Sequence, residues 1–104
     1  MFNVIILRTE DFGEELYCPL KDVIGGLIEK NGADCIRASG GKNNMIYRLF
    51  CEMAAQYPKV CFSVHLLSLD KETPLIENSD LLICPRGSVY GNENLLNKVG
   101  IIRI

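Results

Sequence analysis

Apolar and polar residues follow two periods along this chain, one typical of buried strands and the other of helix faces. The first apolar run, Val4 to Leu7, is apolar on both faces and rich in β-branched residues. Strands that are covered on both sides have this composition, and central parallel strands are the usual case. A buried strand is therefore predicted over Phe2 to Arg8, and the segment Thr9 to Gly13 ends it.

The spacing of apolar residues predicts amphipathic helices in two segments. Pro19 to Lys30 has apolar residues at the i, i+3, i+4, i+7 and i+8 spacing of one helix face, and these are Leu20, Val23, Ile24, Leu27 and Ile28. Pro19 suits the first helical turn, and Gly32 suits a left-handed cap after a basic last turn. The second helix is predicted from an N-cap at Asn44 to Tyr57, which precedes a proline. Its apolar face comprises Ile46, Leu49, Phe50, Met53 and Ala54.

The other strands are predicted from shorter patterns. Val60 to Leu69 is expected to be the longest strand, with one apolar face and one mixed face that is only partly covered. The apolar face has Val60, Phe62, Val64 and Leu66, and the mixed face has Cys61, Ser63, His65 and Leu67. Three short strands are predicted at Ala33 to Ala38, Leu81 to Cys84 and Ile101 to Ile104. A short third helix is predicted from Asn92 to Lys98.

The predicted elements follow the order β-α-β-α-β-β-α-β within one domain, residues 1–104. Alternation of strands and helices at this spacing favours right-handed crossovers and a mostly parallel sheet. The prediction is a small α/β domain with a mostly parallel or mixed sheet and two main amphipathic helices. The alternative is an α+β two-layer sandwich, in which two helices cover one face of a mixed sheet.

Composition and charge narrow the class of protein. Hydrophobic residues make up 48% of the 104 residues, so one aliphatic core is expected. No apolar run approaches the length of a membrane span, and the N-terminus lacks the features of a signal peptide. The net charge of −2 argues against general nucleic-acid binding and against binding to anionic membranes. A cytoplasmic protein is therefore expected.

The cysteine pattern predicts neither a disulfide scaffold nor a zinc site. The five cysteines are odd in number and no two lie closer than ten residues, namely Cys18, Cys35, Cys51, Cys61 and Cys84. We expect small buried hydrophobic residues in a reducing compartment. Cys84 is the candidate reactive thiol, because it lies at a strand end close to Arg86. A buried strand cysteine is the default interpretation of Cys84.

Other titratable residues give weaker indications. His65 is the only histidine, so no site with several histidines can form, and we predict no metal and no cofactor. A histidine that is satisfied within the sheet is the simpler interpretation of His65. Four acidic residues, Glu10, Asp11, Glu14 and Glu15, are interpreted as a solvated charged segment. Phe12, Leu16 and Tyr17 interrupt this segment, either to dock a partner or to anchor the loop.

One loop has the composition of an anion site. Ligands bind beyond the carboxyl ends of the strands in an open α/β sheet. Ser39 to Asn44 follows the second strand and leads into the second helix. Its two glycines let backbone N–H groups approach an anion, the helix N-terminus favours negative charge, and Lys42 adds a positive charge. The candidate ligand-binding residues are Arg37, Ser39, Gly40, Gly41, Lys42, Asn43 and Arg86. A Gly-Gly turn that only caps the helix explains the same residues.

This loop resembles the pyrophosphate-binding loop of the ATP pyrophosphatase (PP-loop) family, which reads strand, Ser-Gly-Gly-Lys-Asp-Ser, helix, strand. The resemblance spans Ala33 to about Leu67. Ser39 to Lys42 align with the family pattern, whereas Asn43 and Asn44 stand where the family has Asp and Ser. The resemblance implies binding of a nucleotide or another phosphate-bearing small molecule.

Different functional classes remain open from the sequence. The leading hypothesis is a non-catalytic binding or regulatory protein that acts through protein–protein contact, such as an inhibitor or adaptor from a phage or other mobile element. Small size, acidic balance and a third strand with a partly polar face favour it. The alternative is a nucleotide- or phosphate-binding module at Ser39 to Asn44. A thiol-based enzyme at Cys84 is a third hypothesis, although no catalytic residue is assigned. A homodimer through Ile101 to Ile104 is expected if that strand lies at an edge.

Overall fold

The computed structural model describes residues 2–66, 76–86 and 100–104. Its five strands form one sheet with the order β3-β2-β1-β4-β5, and every pairing is parallel. The strands are β1 (Phe2–Leu7), β2 (Ala33–Ser39), β3 (Cys61–His65), β4 (Leu81–Cys84) and β5 (Gly100–Arg103), and the helices are α1 (Tyr17–Asn31) and α2 (Asn44–Gln56). The predicted α/β class with a parallel sheet is confirmed. The predicted helix at residues 92–98 and the strand extension at 67–69 lie outside the described residues.

The strand order places β1 at the centre of the sheet. The chain passes from β1 to β2 and on to β3 at one edge, and β4 then lies on the other side of β1. In such a sheet, the place where the strand order reverses is the usual position of a ligand crevice, beyond the carboxyl ends of the strands. Here that place lies between β1 and β4.

Both main helices cover the same face of the sheet, because the two crossovers from β1 to β3 run in the same direction. Their buried residues form one cluster with Val4 and Ile6 of β1 and Ile36 and Ala38 of β2. A second cluster on the opposite face contains Ile5, Leu7, Ile76, Leu82 and Cys84. The central strand β1 is therefore buried on both faces, as its continuous apolar run predicts.

The ends of α1 agree closely with the sequence prediction. The helix begins at Tyr17, two residues before Pro19, so Pro19 lies in the first turn as expected. It ends at Asn31 and is capped by Gly32, which has the left-handed angles φ 69° and ψ 35° and donates its N–H to the Leu27 carbonyl. Phe12 is buried, and Leu16 and Tyr17 pack against the helix-side core. These three residues therefore anchor the loop that leads into α1.

The start of α2 corrects the prediction by one residue. Asn43, and not Asn44, is the N-cap, since its backbone is extended and its side chain accepts hydrogen bonds from two helical N–H groups. These bonds join Asn43 Oδ1 to the Met45 and Ile46 nitrogens at 2.9 and 3.4 Å. The predicted apolar face is buried except at Ala54, which is exposed. Two consecutive asparagines made the cap position ambiguous in the sequence.

The third strand is shorter than predicted. β3 has five residues and β2 has seven, so β2 is the longest described strand and the expectation for β3 is wrong over the described residues. Leu66 follows β3 with 59% of its surface exposed, so it does not continue the apolar face formed by Phe62 and Val64. Ser63 and His65, on the other face, are half-buried.

Burial of the cysteines is also corrected. Cys35 and Cys84 are buried as expected, whereas Cys18, Cys51 and Cys61 are exposed. The exposed thiols lie on the solvent side of the two helices and on an outer strand, where apolar neighbours in sequence do not ensure burial. In the part of the chain that the structure describes, no helix is both long enough and apolar enough to cross a membrane.

Candidate functional site

The predicted glycine loop is packed against the loop that follows β1. The two loops lie side by side because Leu7 and Ser39, the last residues of β1 and β2, are register partners. Thr9 Oγ1 donates to the Gly41 carbonyl at 2.6 Å. Asn43 Nδ2 donates to the carbonyls of Thr9 and Phe12, at 2.6 and 2.8 Å. We call these two segments, residues 8–12 and 40–43, the paired loops.

Gly40 is required by the close approach of the paired loops. Its φ of 142° is a conformation that residues with side chains rarely adopt. A Cβ at this position would lie 2.7 Å from the Thr9 nitrogen and 2.8 Å from Thr9 Oγ1. The Gly40 N–H donates to the His65 carbonyl at 3.2 Å. The glycine therefore serves contacts within the chain, between β3 and the loop after β1.

Glu10 occupies the position that the sequence suggested for an external anion. Its carboxylate accepts a hydrogen bond from the Gly41 N–H, and its Oε1 lies 3.9 Å from Arg8 Nη1. Glu10 is exposed, as the interpretation of a solvated acidic segment expects, and its carboxylate also makes this contact within the fold. Sequence reasoning missed this contact because the two residues are 31 positions apart. Only the register of β1 on β2 brings them together.

The remaining loop residues divide between structural and exposed positions. Asn43 uses its oxygen to cap α2 and its nitrogen to hold the loop after β1. Ser39 is fully buried, and Gly40 is also buried. Lys42 is exposed. Most of the predicted anion loop is thus committed to contacts within the fold, and Lys42 is its exposed charged residue.

The topology places the two predicted arginines at different strands of the sheet. Arg37 is within β2, two residues before its end, and has Ile5 and Ser63 as register partners. Arg86 follows β4, which is two strands away from β2. Its backbone N–H donates to the Ile104 carbonyl at 2.9 Å, so it lies on the β5 side of β4.

Cys84 is fully buried in the cluster on the face opposite the helices. A thiol in this position is shielded from solvent, and buried structural cysteines are generally inert. Its surroundings favour the interpretation as a packing residue. The described residues also contain no group of three or more His, Cys, Asp or Glu side chains placed to hold a metal ion.

Arg8 has an unusual backbone at the place where the strand order reverses. Its angles, φ 58° and ψ 52°, are left-handed although it has a side chain. This conformation costs roughly 1–2 kcal/mol relative to the right-handed one. It turns the chain sharply from β1 into a short 3-10 turn at Thr9–Asp11, which delivers Glu10 to Gly41. The strain at Arg8 thus positions the contact between the paired loops.

A second candidate surface is the outer edge of β3. The Gly40 N–H bonds the His65 carbonyl, so the backbone groups of His65 point towards β2. Backbone groups alternate in direction along a strand, so the N–H and C=O groups of Phe62 and Val64 point away from β2. The five residues pair with β2 without a register shift, and none of them is charged or proline. This edge therefore has the geometry that accepts a further strand.

The side chains beside this edge are neutral or weakly polar. His65 Nε2 lies 3.2 Å from Ser63 Oγ, which satisfies one ring nitrogen within the sheet. Leu66, immediately after the strand, is the one large hydrophobic residue that is exposed in the described part of the chain. The β3 edge thus has both outward backbone groups and an exposed apolar side chain beside them.

Comparison with protein-family models, curated proteins and solved structures finds no significant match for this chain.

Proposed function

We propose that this protein is a small non-catalytic binding protein, of the inhibitor or adaptor type, that holds an extended segment of a protein partner on the outer edge of β3. The observation that carries the proposal is the regular, uncharged edge of Cys61–His65 with the outward backbone groups of Phe62 and Val64. An added strand gains affinity from main-chain hydrogen bonds and specificity from alternate side chains.

The side chains around the β3 edge indicate what kind of partner segment would bind there. Natural proteins usually protect an edge strand with charges, proline or a bulge, and β3 has none of these within its five residues. A partner strand here would meet Leu66 on one side and the polar pair Ser63 and His65 on the other. The favoured partner is an extended peptide in which apolar and polar side chains alternate.

Hydrogen exchange can test where a partner binds. Peptides would be selected from a random display library against the immobilised full chain, and amide exchange would be followed with and without the best peptide. We expect protection of the Phe62 and Val64 amides, since these point outward, and little change at Ser63, whose amide already faces β2. A selected peptide that protects other segments and leaves Phe62 and Val64 unchanged would contradict the proposal, and so would a failure to select any peptide.

A charge placed beside the edge gives an independent test. Leu66→Lys puts a positive charge at an exposed position next to β3, where it should oppose strand addition without disturbing the core. The matched control is Ala55→Lys, which adds the same charge at an exposed position of α2. Peptide affinity is expected to fall at least tenfold, about 1.4 kcal/mol, in Leu66→Lys only. Equal affinities for both variants would exclude the β3 edge.

The second candidate function is binding of a phosphate-bearing small molecule at the paired loops. The specific observation is that the Gly41 N–H already donates a hydrogen bond to a carboxylate, that of Glu10, so this amide can donate to an anionic oxygen. An external anion would have to displace Glu10 and would be assisted by the exposed Lys42. Glu10→Gln removes the negative charge of the carboxylate that competes with an external anion. The control is Asp22→Asn, which also replaces a carboxylate with an amide, at an exposed residue of α1.

A thermal-shift screen against nucleotides tests this candidate, because a ligand that binds the folded state raises its melting temperature. Nucleotides are expected to raise the melting temperature of Glu10→Gln more than that of Asp22→Asn. The rise should disappear when Lys42→Ala is added to Glu10→Gln. No shift in Glu10→Gln, or a shift that persists without Lys42, would count against a phosphate site.

The expected homodimer would use the opposite edge of the described sheet. β5 pairs with β4, and the Ile104 N–H donates to the Cys84 carbonyl at 3.1 Å. By alternation, the backbone groups of Ile101 point away from β4. Two copies of this strand would pair in antiparallel fashion about a twofold axis. Sedimentation equilibrium should give a dimer that Ile101→Pro converts to a monomer, whereas a wild-type monomer would exclude this assembly.

We place this function in the cytoplasm. The three exposed thiols of Cys18, Cys51 and Cys61 support this placement, because exposed unpaired cysteines suit a reducing compartment.

A further inference from the structure

Two cysteines that are far apart in sequence lie opposite each other in the sheet. Cys35 of β2 and Cys61 of β3 are register partners. Neighbouring strands lie about 4.8 Å apart, and the Cα atoms of disulfide-bonded cysteines are usually about 4.4–6.8 Å apart. Aligned residues of parallel strands project from the same face of the sheet. The two thiols therefore share the face opposite the helices, at a backbone separation that a disulfide tolerates.

The two thiols differ in their exposure to solvent. Cys61 is exposed, whereas Cys35 is only 7% exposed. An oxidant in solution therefore meets Cys61 first, and Cys35 is the neighbouring thiol that can react with the oxidised product. β3 is the outer strand on its side of the described sheet, bonded to β2 alone. A small approach of β3 towards β2 can bring the Cβ atoms to the spacing of about 3.5–4.5 Å that a disulfide needs.

We propose that Cys35 and Cys61 are a peroxide-sensitive thiol pair that closes as an intramolecular disulfide. The Cys61 thiolate attacks one oxygen of hydrogen peroxide, the O–O bond breaks, and the products are a Cys61 sulfenic acid and hydroxide, which becomes water on protonation. The Cys35 thiolate then attacks the Cys61 sulfur, the S–S bond forms, and the S–O bond breaks with loss of a second water. The two thiols lose two electrons in total, and the peroxide gains them.

Closure of this bond would fix β3 onto β2 near the amino ends of both strands, since Cys35 is the third residue of β2 and Cys61 the first of β3. The proposal does not depend on partner binding at the β3 edge, because it concerns only the side of β3 that faces β2. A small thiol such as glutathione, through thiol–disulfide exchange, would return the pair to the reduced state.

The test uses the full chain with Cys18→Ser and Cys51→Ser, which removes the two exposed helix thiols. After brief treatment with hydrogen peroxide and alkylation of the remaining thiols, tryptic mapping should find Asn31–Arg37 joined to Val60–Lys71, with the loss of two hydrogen atoms. Further addition of Cys35→Ser should leave a Cys61 sulfenic acid that dimedone traps. Further addition of Cys61→Ser should leave Cys35 largely unmodified, because it is buried.

The contrary results are equally specific. If Cys61 is oxidised to sulfinic acid while Cys35 stays reduced, the pair does not close and the proposal is wrong. A disulfide that joins Cys61 of two chains, detected as a covalent dimer on a non-reducing gel, would also overturn it. If neither thiol reacts while a control peptide that contains cysteine is oxidised, the pair does not respond to peroxide and the proposal is wrong. Loss of partner binding in Leu66→Lys would have no bearing on these outcomes.

Discussion

Two glycines of this chain have opposite structural roles at the scale of single residues. Gly40 has a φ of 142° and its Cβ position is filled by Thr9, whereas a Cβ at Gly26 of α1 meets nothing within 4 Å in the described structure. Gly40→Ala is expected to reduce the free energy of unfolding by more than about 2 kcal/mol, through backbone strain and a steric clash. Gly26→Ala should raise it by up to about 1 kcal/mol, as for a helix interior.

Urea unfolding of both glycine variants measures the difference. The midpoint should move down for Gly40→Ala and up for Gly26→Ala, with unchanged slopes. Similar midpoints for the two variants would mean that Gly40 is not held against Thr9, and the paired loops would then not be packed as the structure shows.

Adjacent asparagines provide a second comparison at the residue scale. Asn43 caps α2 through Oδ1 and holds the loop after β1 through Nδ2, whereas Asn44 is the first helical residue and is exposed. Asn43→Ala is expected to cost about 2 kcal/mol, since a lost cap costs about 1 kcal/mol and the Thr9 and Phe12 carbonyls also lose their donor. Asn44→Ala should change stability by less than about 0.5 kcal/mol. Calorimetry of the two variants checks this, and equal losses would indicate that the cap is misassigned.

At the scale of elements, the seam between α1 and α2 is held by charged side chains. Glu52 of α2 accepts hydrogen bonds from Lys21 and Tyr17 of α1. Arg48 donates to Glu14 at 2.6 Å, and its guanidinium lies 5.1 Å from the centre of the Tyr17 ring. The hydrogen bond from Lys21, followed by that from Tyr17, lowers the pKa of Glu52 below its usual value.

This pKa shift gives a prediction for the dependence of stability on pH. A carboxyl whose pKa is lowered by folding contributes stability above its unfolded pKa and loses it as the pH falls through the folded pKa. Glu52→Gln should therefore melt below the wild type at neutral pH, and the two should converge in acid. The pKa of Lys21 is raised, chiefly by its bond to Glu52, so its contribution is lost only in strong alkali. Calorimetry across pH measures the difference, with Asp22→Asn as the control, and a constant gap down to acid pH would contradict it.

The elements also show what the sequence can predict. Both helices were predicted because their apolar residues repeat with the helical period over three turns, and β1 because a strand buried on both faces must be continuously apolar. The contact of Glu10 with Gly41 was not predicted, because it depends on which residue of β1 lies beside which residue of β2. Exposure of Cys61 was missed for the same reason, since strand order decides which strand is outermost.

At the scale of the whole molecule, the strands of the sheet differ in burial and in the number of paired neighbours from the centre to the edge. β1 is buried on both faces and paired on both sides, whereas β3 is paired with β2 alone in the described sheet and its residues are half-buried or exposed. Local opening requires the loss of fewer contacts where a strand has one neighbour, so amides there exchange at lower free energy than amides of the core.

Native-state hydrogen exchange at low urea should therefore resolve three levels of protection. The amides of Ile5 and Ile6 are expected to exchange only through global unfolding, with a urea dependence equal to that of the equilibrium transition. The inward amides of Ser63 and His65 should open at a lower free energy with a weak urea dependence, and the outward amides of Phe62 and Val64 should exchange fastest. This order follows from strand position alone, so exchange of Ser63 as slow as that of Ile5 would mean that β3 has a second neighbour. In that case the outer edge of β3 would already be covered by another part of the protein. The proposal of partner binding through β3 would then be wrong, and so would the expected protection of Phe62 and Val64.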